Sequence, residues 1–167
     1  MVPAEALRGH LAYTAWASRR LLERAAGLSV EDLNRDFQTA DHSVLGTLVH
    51  VFAADRIWLA RVNYAANQPF LTDADHSLVT LQREWPPLLD RWMEWAAALT
   101  DAGAQELLAY RDTRGNAYTQ PLWHVVLHVV NHGTHHRGQV SGFLRALGQT
   151  PPPLDLTAYY RELAAHA

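Results

Sequence analysis

Cysteine is absent from the 167 residues. Its absence excludes disulfides, thiolate metal ligands and a nucleophilic cysteine of the chain's own, so any metal must take nitrogen or oxygen donors. Clustered positive charge is also missing. The formal net charge is −3, and duplex binding needs several cations on one face to neutralise phosphates, which removes nucleic acid from the expected partners. Long apolar runs are missing too: nothing approaches the roughly eighteen residues of a membrane span, and the opening Met1-Val2-Pro3-Ala4-Glu5-Ala6 has no basic segment leading into an apolar one. The expectation is a cytoplasmic protein with no membrane partner. What is present is the composition of a packed core. Hydrophobic residues make up 49% of the chain and charged residues 19%, with six Trp, six Tyr and four Phe. One domain over residues 1–167 can bury such a core without cross-links.

Three- and four-residue spacing of Leu7, Leu11, Thr14, Ala17, Ser18, Leu21, Leu22 and Ala25 predicts a first helix over residues 5–26 that stops at Gly27. Ser29-Val30-Glu31-Asp32 reads as a capping box for one short turn. Ser43 is the expected N-cap of a strongly apolar second long helix, from Val44 to about Ala65, ended by Asn67-Gln68-Pro69. A third is expected from Ser77 to Leu99, kinked or restarted at Trp85-Pro86-Pro87, where two amide protons are missing. Tyr110 and Tyr118 flank Gly115-Asn116 and favour a β-hairpin within residues 106–119, which must lean on helices because two strands alone are marginal. A fourth long helix starts near Pro121 and ends by Gly148, Pro151-Pro152-Pro153 forms a stiff linker, and Asp155 can cap a last short helix to about Ala165. The fold class is therefore all-α: a four-helix bundle with a short hairpin between the third and fourth long helices and a short C-terminal helix.

Five of the ten histidines, His124, His128, His132, His135 and His136, fall within thirteen residues of the fourth long helix. A helix stacks side chains three and four positions apart, so the run is a candidate source of two metal ligands, and a site needs a third from elsewhere. With about 100° per residue and His132 at zero, Val125 and Phe143 fall at about 20°, Val129 and Leu147 at about 60° and Leu144 at about 120°. His136, at about 40°, lies inside this apolar stripe, whereas His128, His135 and His124 lie at about −40° to −80°, at its edge or beyond. His132 and His136 are thus expected to face the interior. Two neutral imidazoles one turn apart in low dielectric can be satisfied together by one cation. His50 of the second long helix, with Ala54, Ile57 and Trp58 on its side of the wheel, is expected to point inward and supply the third donor.

The remaining histidines have ordinary structural or solvated readings, except His10 on the first helix, a candidate to support the ligands from behind. Gln139, three residues beyond His136, is the other such candidate. Arg137 falls too far round the helix to reach the metal and is expected in a surface or inter-helix ion pair. Gly133, on the buried side in mid-helix, reads as a place where another helix approaches closely.

Gly46-Thr47-Leu48-Val49-His50, continuing to Asp55-Arg56-Ile57-Trp58-Leu59, together with Asn131-His132-Gly133-Thr134-His135-His136-Arg137-Gly138-Gln139, resembles the DinB family of DinB/YfiT-like four-helix metalloproteins. The similarity extends to the region from Tyr13 to Trp16, the Gly115-Asn116 hairpin and the proline linker before Asp155. It implies an up-down-down-up bundle and a divalent site at the positions of His50, His132 and His136. It also implies a homodimer through bundle helices, for which exposed tryptophans would be a mark. Relatives include S-transferases that use low-molecular-weight thiols and a thiol-dependent maleylpyruvate isomerase, so the substrate does not carry over.

Two functions follow. In the first, the chain is an enzyme: three imidazoles hold Zn²⁺ or Ni²⁺ with a coordination position open, and the metal activates water for hydrolysis or a small thiol for S-transfer to a small-molecule substrate. The thiol, such as bacillithiol, mycothiol or glutathione, must come from outside. In the second, the chain is a noncatalytic stress-response protein whose cation fastens two helices, and the site is closed.

Overall fold

The structure is a computed structural model and describes residues 2–65, 71, 72 and 75–165. Its elements in chain order are α1 (Ala4–Ala26), α2 (Val30–Asn34), α3 (Val44–Val62), α4 (Leu78–Ala97), α5 (Asp101–Gln105), β1 (Leu107–Arg111), β2 (Ala117–Pro121), α6 (Leu122–Ala146) and α7 (Leu156–Ala165). The expected stop at Asn67-Gln68-Pro69 and His166 lie outside the described residues. Among the described residues no helix is long and apolar enough to cross a membrane.

Four long helices, α1, α3, α4 and α6, form the bundle. Their directions can be read from side-chain contacts. Arg8 donates to the Leu99 carbonyl while Arg19, farther along α1, donates to the Pro86 carbonyl, so α1 and α4 run antiparallel. Arg137 reaches Ser18 while Arg24 meets Gln149, so α1 and α6 run parallel. His50 lies beside His132 and Trp58 beside His128, so α3 and α6 are antiparallel. The order is up-down-down-up, as the resemblance implies. The core fills the space between these helices with Leu7, Leu21, Leu48, Phe52, Leu59, Leu81, Trp85, Leu89 and Leu144, each at most 2% exposed.

The caps follow the local sequence. Ser29, Ser43 and Ser77 accept from the amides of Asp32, Gly46 and Thr80, satisfying donors that the first turns leave free. Of the kink or restart expected at Pro86, the restart does not occur: α4 runs unbroken through Pro86 and Pro87. The two missing amides would have bonded the carbonyls of Gln82 and Arg83, and both residues are exposed, so water can take those carbonyls. Pro86's own carbonyl accepts from Arg19.

One element escaped the sequence reading. Thr100 accepts from the Gly103 amide and opens the one-turn α5, and Asp101 accepts from the Ala4 amide at 2.7 Å, tying the start of α1 to this turn. The hairpin forms as expected, antiparallel with Tyr110 opposite Tyr118, and Gly115 takes the left-handed φ of +88° that the turn requires. It leans on α3 through Arg61, whose guanidinium lies over Trp58 and Tyr110 and donates to the Arg111 carbonyl. Helix α7 packs its Tyr159 against Tyr13 and Trp16 of α1. None of the six tryptophans is fully exposed: Trp85 and Trp92 are buried and the others partly so.

Candidate metal centre

Helices α3 and α6 bring His50, His132 and His136 to one place. The Nε2 atoms of His50 and His132 lie 2.9 Å apart, the ring centroids of His50 and His136 4.4 Å, and those of His132 and His136 4.5 Å. One nitrogen from each residue lies within 4.8 Å of the other two. These three were expected together from helical angle, but their depth was not. They occupy the rim of the α3–α6 interface, with the His50 side chain 42% exposed and that of His136 12%. The expectation of an interior position is corrected by the true centre of each buried face. Val126, Val130, Gly133 and Arg137 are all buried, and they extend the α6 stripe to about 160°, leaving His132 and His136 at its border. On α3 the centre lies at Phe52, Asp55 and Leu59, which are buried, while Ala54, Ile57 and Trp58 beside His50 are only partly so.

Protons on the outer nitrogens decide what the inner ones can do. Gln139 Oε1 only accepts, so its 2.7 Å contact with His136 Nδ1 places the proton there and leaves Nε2 with its lone pair. Gln139, a candidate to support the ligands, thus sits against the outer edge of His136. Asp41 lies between the other outer edges, with Oδ1 3.4 Å from His50 Nδ1 and Oδ2 3.6 Å from His136 Nδ1. Burial, followed by the neighbouring His136 and His50 rings, pushes His132 down to about 4. Burial also lowers His136, against the pull of Gln139 and Asp41. Rings that stay neutral are what ligation needs. Three inward nitrogen donors, with acceptors behind two of them, suit a borderline divalent ion that prefers imidazole.

A cavity of about 530 Å³ opens beside the cluster, and its lining includes Asn34, Asp41, His42, Val49, His50 and His76. Asp41, His42 and His76 came together here without any signal in helical periodicity, because all three lie outside the helices. The clue available for Asp41 was its place two residues ahead of the N-cap of the His50 helix.

His10 does not join the centre. It lines a separate cavity of about 830 Å³ with Tyr13, Asn131, Thr134 and Arg137, between α1, α6 and the proline linker. Helix α1 meets α6 on its Val130–Arg137 side, whereas the histidines face α3, so a residue of α1 cannot support them. Arg137 is neither on the surface nor in an ion pair among the described residues: it is 2% exposed, bonds Ser18 and Thr134, and lies over the Tyr13 ring. Gly133 makes room for that guanidinium, not for another helix, since a Cβ there would come within 2.6 Å of Arg137 Nη1. His124, His128 and His135 are exposed, as expected of residues off the stripe.

A sequence model described as the DinB family matches residues 5–164. The chain belongs to the DinB family. Protein DinB of Bacillus subtilis (strain 168) is 24% identical over 153 residues, 88% of this chain and 89% of that protein. The crystal structure of a DinB-like protein from Bacillus cereus ATCC 10987 is similar at a TM-score of 0.56 and 19% identity, over 86% of this chain and 94% of that one, a likeness of fold. DinB membership and the three-histidine group are together compatible with metal binding.

Proposed function

We propose that this DinB-family protein is a metal-dependent enzyme in which His50, His132 and His136 hold one divalent ion, zinc or nickel, and the cavity beside His50 receives a small-molecule substrate. The carrying observation is that the cluster offers three donors and no fourth among the described residues, with its most exposed member lining that cavity. Three protein ligands beside open space are the pattern of a catalytic site. An ion bound there supplies Lewis acidity that brings a thiol or water toward ionisation near neutral pH.

The chain's own residues do the rest. Gln139 holds the His136 proton outward, and Asn34, His42 and His76 offer polar contacts to a substrate whose apolar part meets Leu45, Val49, Ala53 and Leu71. With no cysteine in the chain, S-transfer takes its thiol from a low-molecular-weight donor such as bacillithiol, mycothiol or glutathione, and hydrolysis takes water.

A noncatalytic stress-response protein with a structural ion is the second reading. It is favoured by one fact: the donors come from two helices, so an ion would fasten α3 to α6.

A panel of these thiols with a generic electrophile, and of activated esters with water, separates the two readings. Chelator-sensitive turnover that returns with metal supports the enzyme. Stoichiometric metal without chelator-sensitive turnover in either panel leaves the structural ion.

A further inference from the structure

We infer that Asp41 is a positioning residue for the three-histidine centre, acting chiefly on His50. The inference rests on the metal-site reading above and adds a residue to it. The Asp41 side chain is 18% exposed, yet no arginine lies within ion-pair distance of it among the described residues; the N–H donors it faces are on the His50 and His136 rings. A carboxylate so placed needs donors. Helix capping does not supply them, because Ser43 already accepts from the Gly46 amide and caps α3.

The two rings are not equivalent. His136 Nδ1 has Gln139 at 2.7 Å, and its one proton is committed there. His50 Nδ1 has Asp41 Oδ1 at 3.4 Å, a few tenths beyond the usual range of an N–H···O bond and within reach of a small side-chain rotation. His50 is the ligand that most needs orienting: it stands alone on α3, and its side chain is 42% exposed against 12% for His136. An acceptor on Nδ1 fixes the proton there and turns Nε2 toward His132, the 2.9 Å pairing observed. Gln139 and Asp41 thus divide the work, one ligand each.

The backbone holds Asp41 in this place. Its carbonyl accepts from the Ser43 amide at 2.7 Å, His42 takes a left-handed φ of 61°, and the loop closes through Phe37 N–H to the His42 carbonyl. Gly46 is where the loop crosses α3, and a Cβ there would overlap the Asp41 carbonyl oxygen. The Gly46 in Gly46-Thr47-Leu48-Val49-His50 therefore serves the ligand four residues later by letting Asp41 come close.

The test uses the full chain, wild type, with Asp41→Ala, Asp41→Asn and, as a control on the metal reading, His132→Ala. In metal-free protein, ¹⁵N NMR of the imidazoles reads the His50 tautomer; in the presence of zinc, competition with a chromogenic chelator reads affinity, and the cobalt-substituted spectrum reads ligand geometry. The expected result is a wild-type His50 protonated on Nδ1, a shifted tautomer in Asp41→Ala, and an affinity lowered about 10–100-fold with a changed cobalt spectrum. Asp41→Asn, whose amide oxygen can still accept, recovers part of both. Wild-type tautomer and wild-type affinity in Asp41→Ala overturn the inference. Zinc binding that is absent from wild type, or undiminished in His132→Ala, sinks the metal reading instead, and the metal-free tautomer alone then decides the role of Asp41.

Discussion

Helices α3 and α6 each carry two polar groups of opposite character. At the rim stand His50, His132 and His136, partly exposed, with burial lowering the proton affinity of His132 and His136. In the interior stand Asp55 and Arg137, 3% and 2% exposed, which feel each other's charge through space. Asp55 accepts from the indole of Trp85 at 2.9 Å and its carbonyl from that of Trp92 at 3.2 Å, while Arg137 bonds Ser18 and Thr134. The interior groups find most of their partners within the bundle, Arg137 Nε alone of the guanidinium nitrogens bonding nothing. The rim groups have only part of theirs, and the inward nitrogens face one another across 2.9 Å, where a neutral pair can share only one proton. A buried polar cluster with most of its partners in place ties the fold together; one short of a partner at an open edge is suited to a ligand.

Replacing Arg137 with Met tests the interior side of this contrast most severely. It removes the bonds to Ser18 and Thr134 and the charge that Asp55 feels through space, and stability to urea should fall by about 3 kcal/mol. Metal content of the folded protein should persist, although His136 is the adjacent residue; loss of metal in a variant that still folds would show the two clusters to be one unit. His132→Ala tests the rim. Metal should fall from stoichiometric to background by elemental analysis, together with the stabilisation that bound metal confers, about 4 kcal/mol when free metal exceeds Kd a thousandfold. Without metal the same substitution should move stability by about 1 kcal/mol or less.

Acid separates the clusters by sign. Burial raises Asp55 from 3.8 to about 6 in the fold, against the Trp85 bond and the Arg137 charge. Its stabilising effect is therefore fully present below 3.8 and lost as pH rises through about 6. His132 is lowered from 6.5 to about 4, so its effect is present above 6.5 and lost as pH falls through about 4. The two oppose each other across the window between. In metal-free protein Asp55→Asn should thus lose about 2 kcal/mol more stability than wild type between about pH 7 and pH 4.5. Matching urea curves at the two pH values check this, and an unchanged difference would mean that Asp55 does not take up a proton in the fold. The smallest effect should come from Gly133→Ala, which lies between the clusters in sequence. Its Cβ displaces the flexible end of Arg137, so we expect a destabilisation of about 1 kcal/mol with metal affinity unchanged, although His132 is its neighbour.

The bundle was legible because apolar spacing, serine caps and the proline linker act locally. The histidine triple was legible because two of its members share one helix and the third has a similar place on another. What misled was the position of each stripe's centre. Arg137 counted as polar in the sequence, yet it is buried and moves the α6 centre away from His132 and His136. Asp41 was invisible to periodicity because it lies in a loop, and His10, partly exposed, lines a different cavity.

By itself the sequence determined the four long helices, the serine caps of α2, α3 and α4 and the hairpin, which depend on residues within a few turns of one another, and marked three imidazoles able to meet by their places on two helices. The tertiary structure alone decided how deep those imidazoles lie, that Asp41 stands behind two of them, and that Arg137 turns inward to Ser18 and the Tyr13 ring. These depend on which faces of α1, α3 and α6 are pressed together, and burial by a partner helix is a property of the pair rather than of either segment.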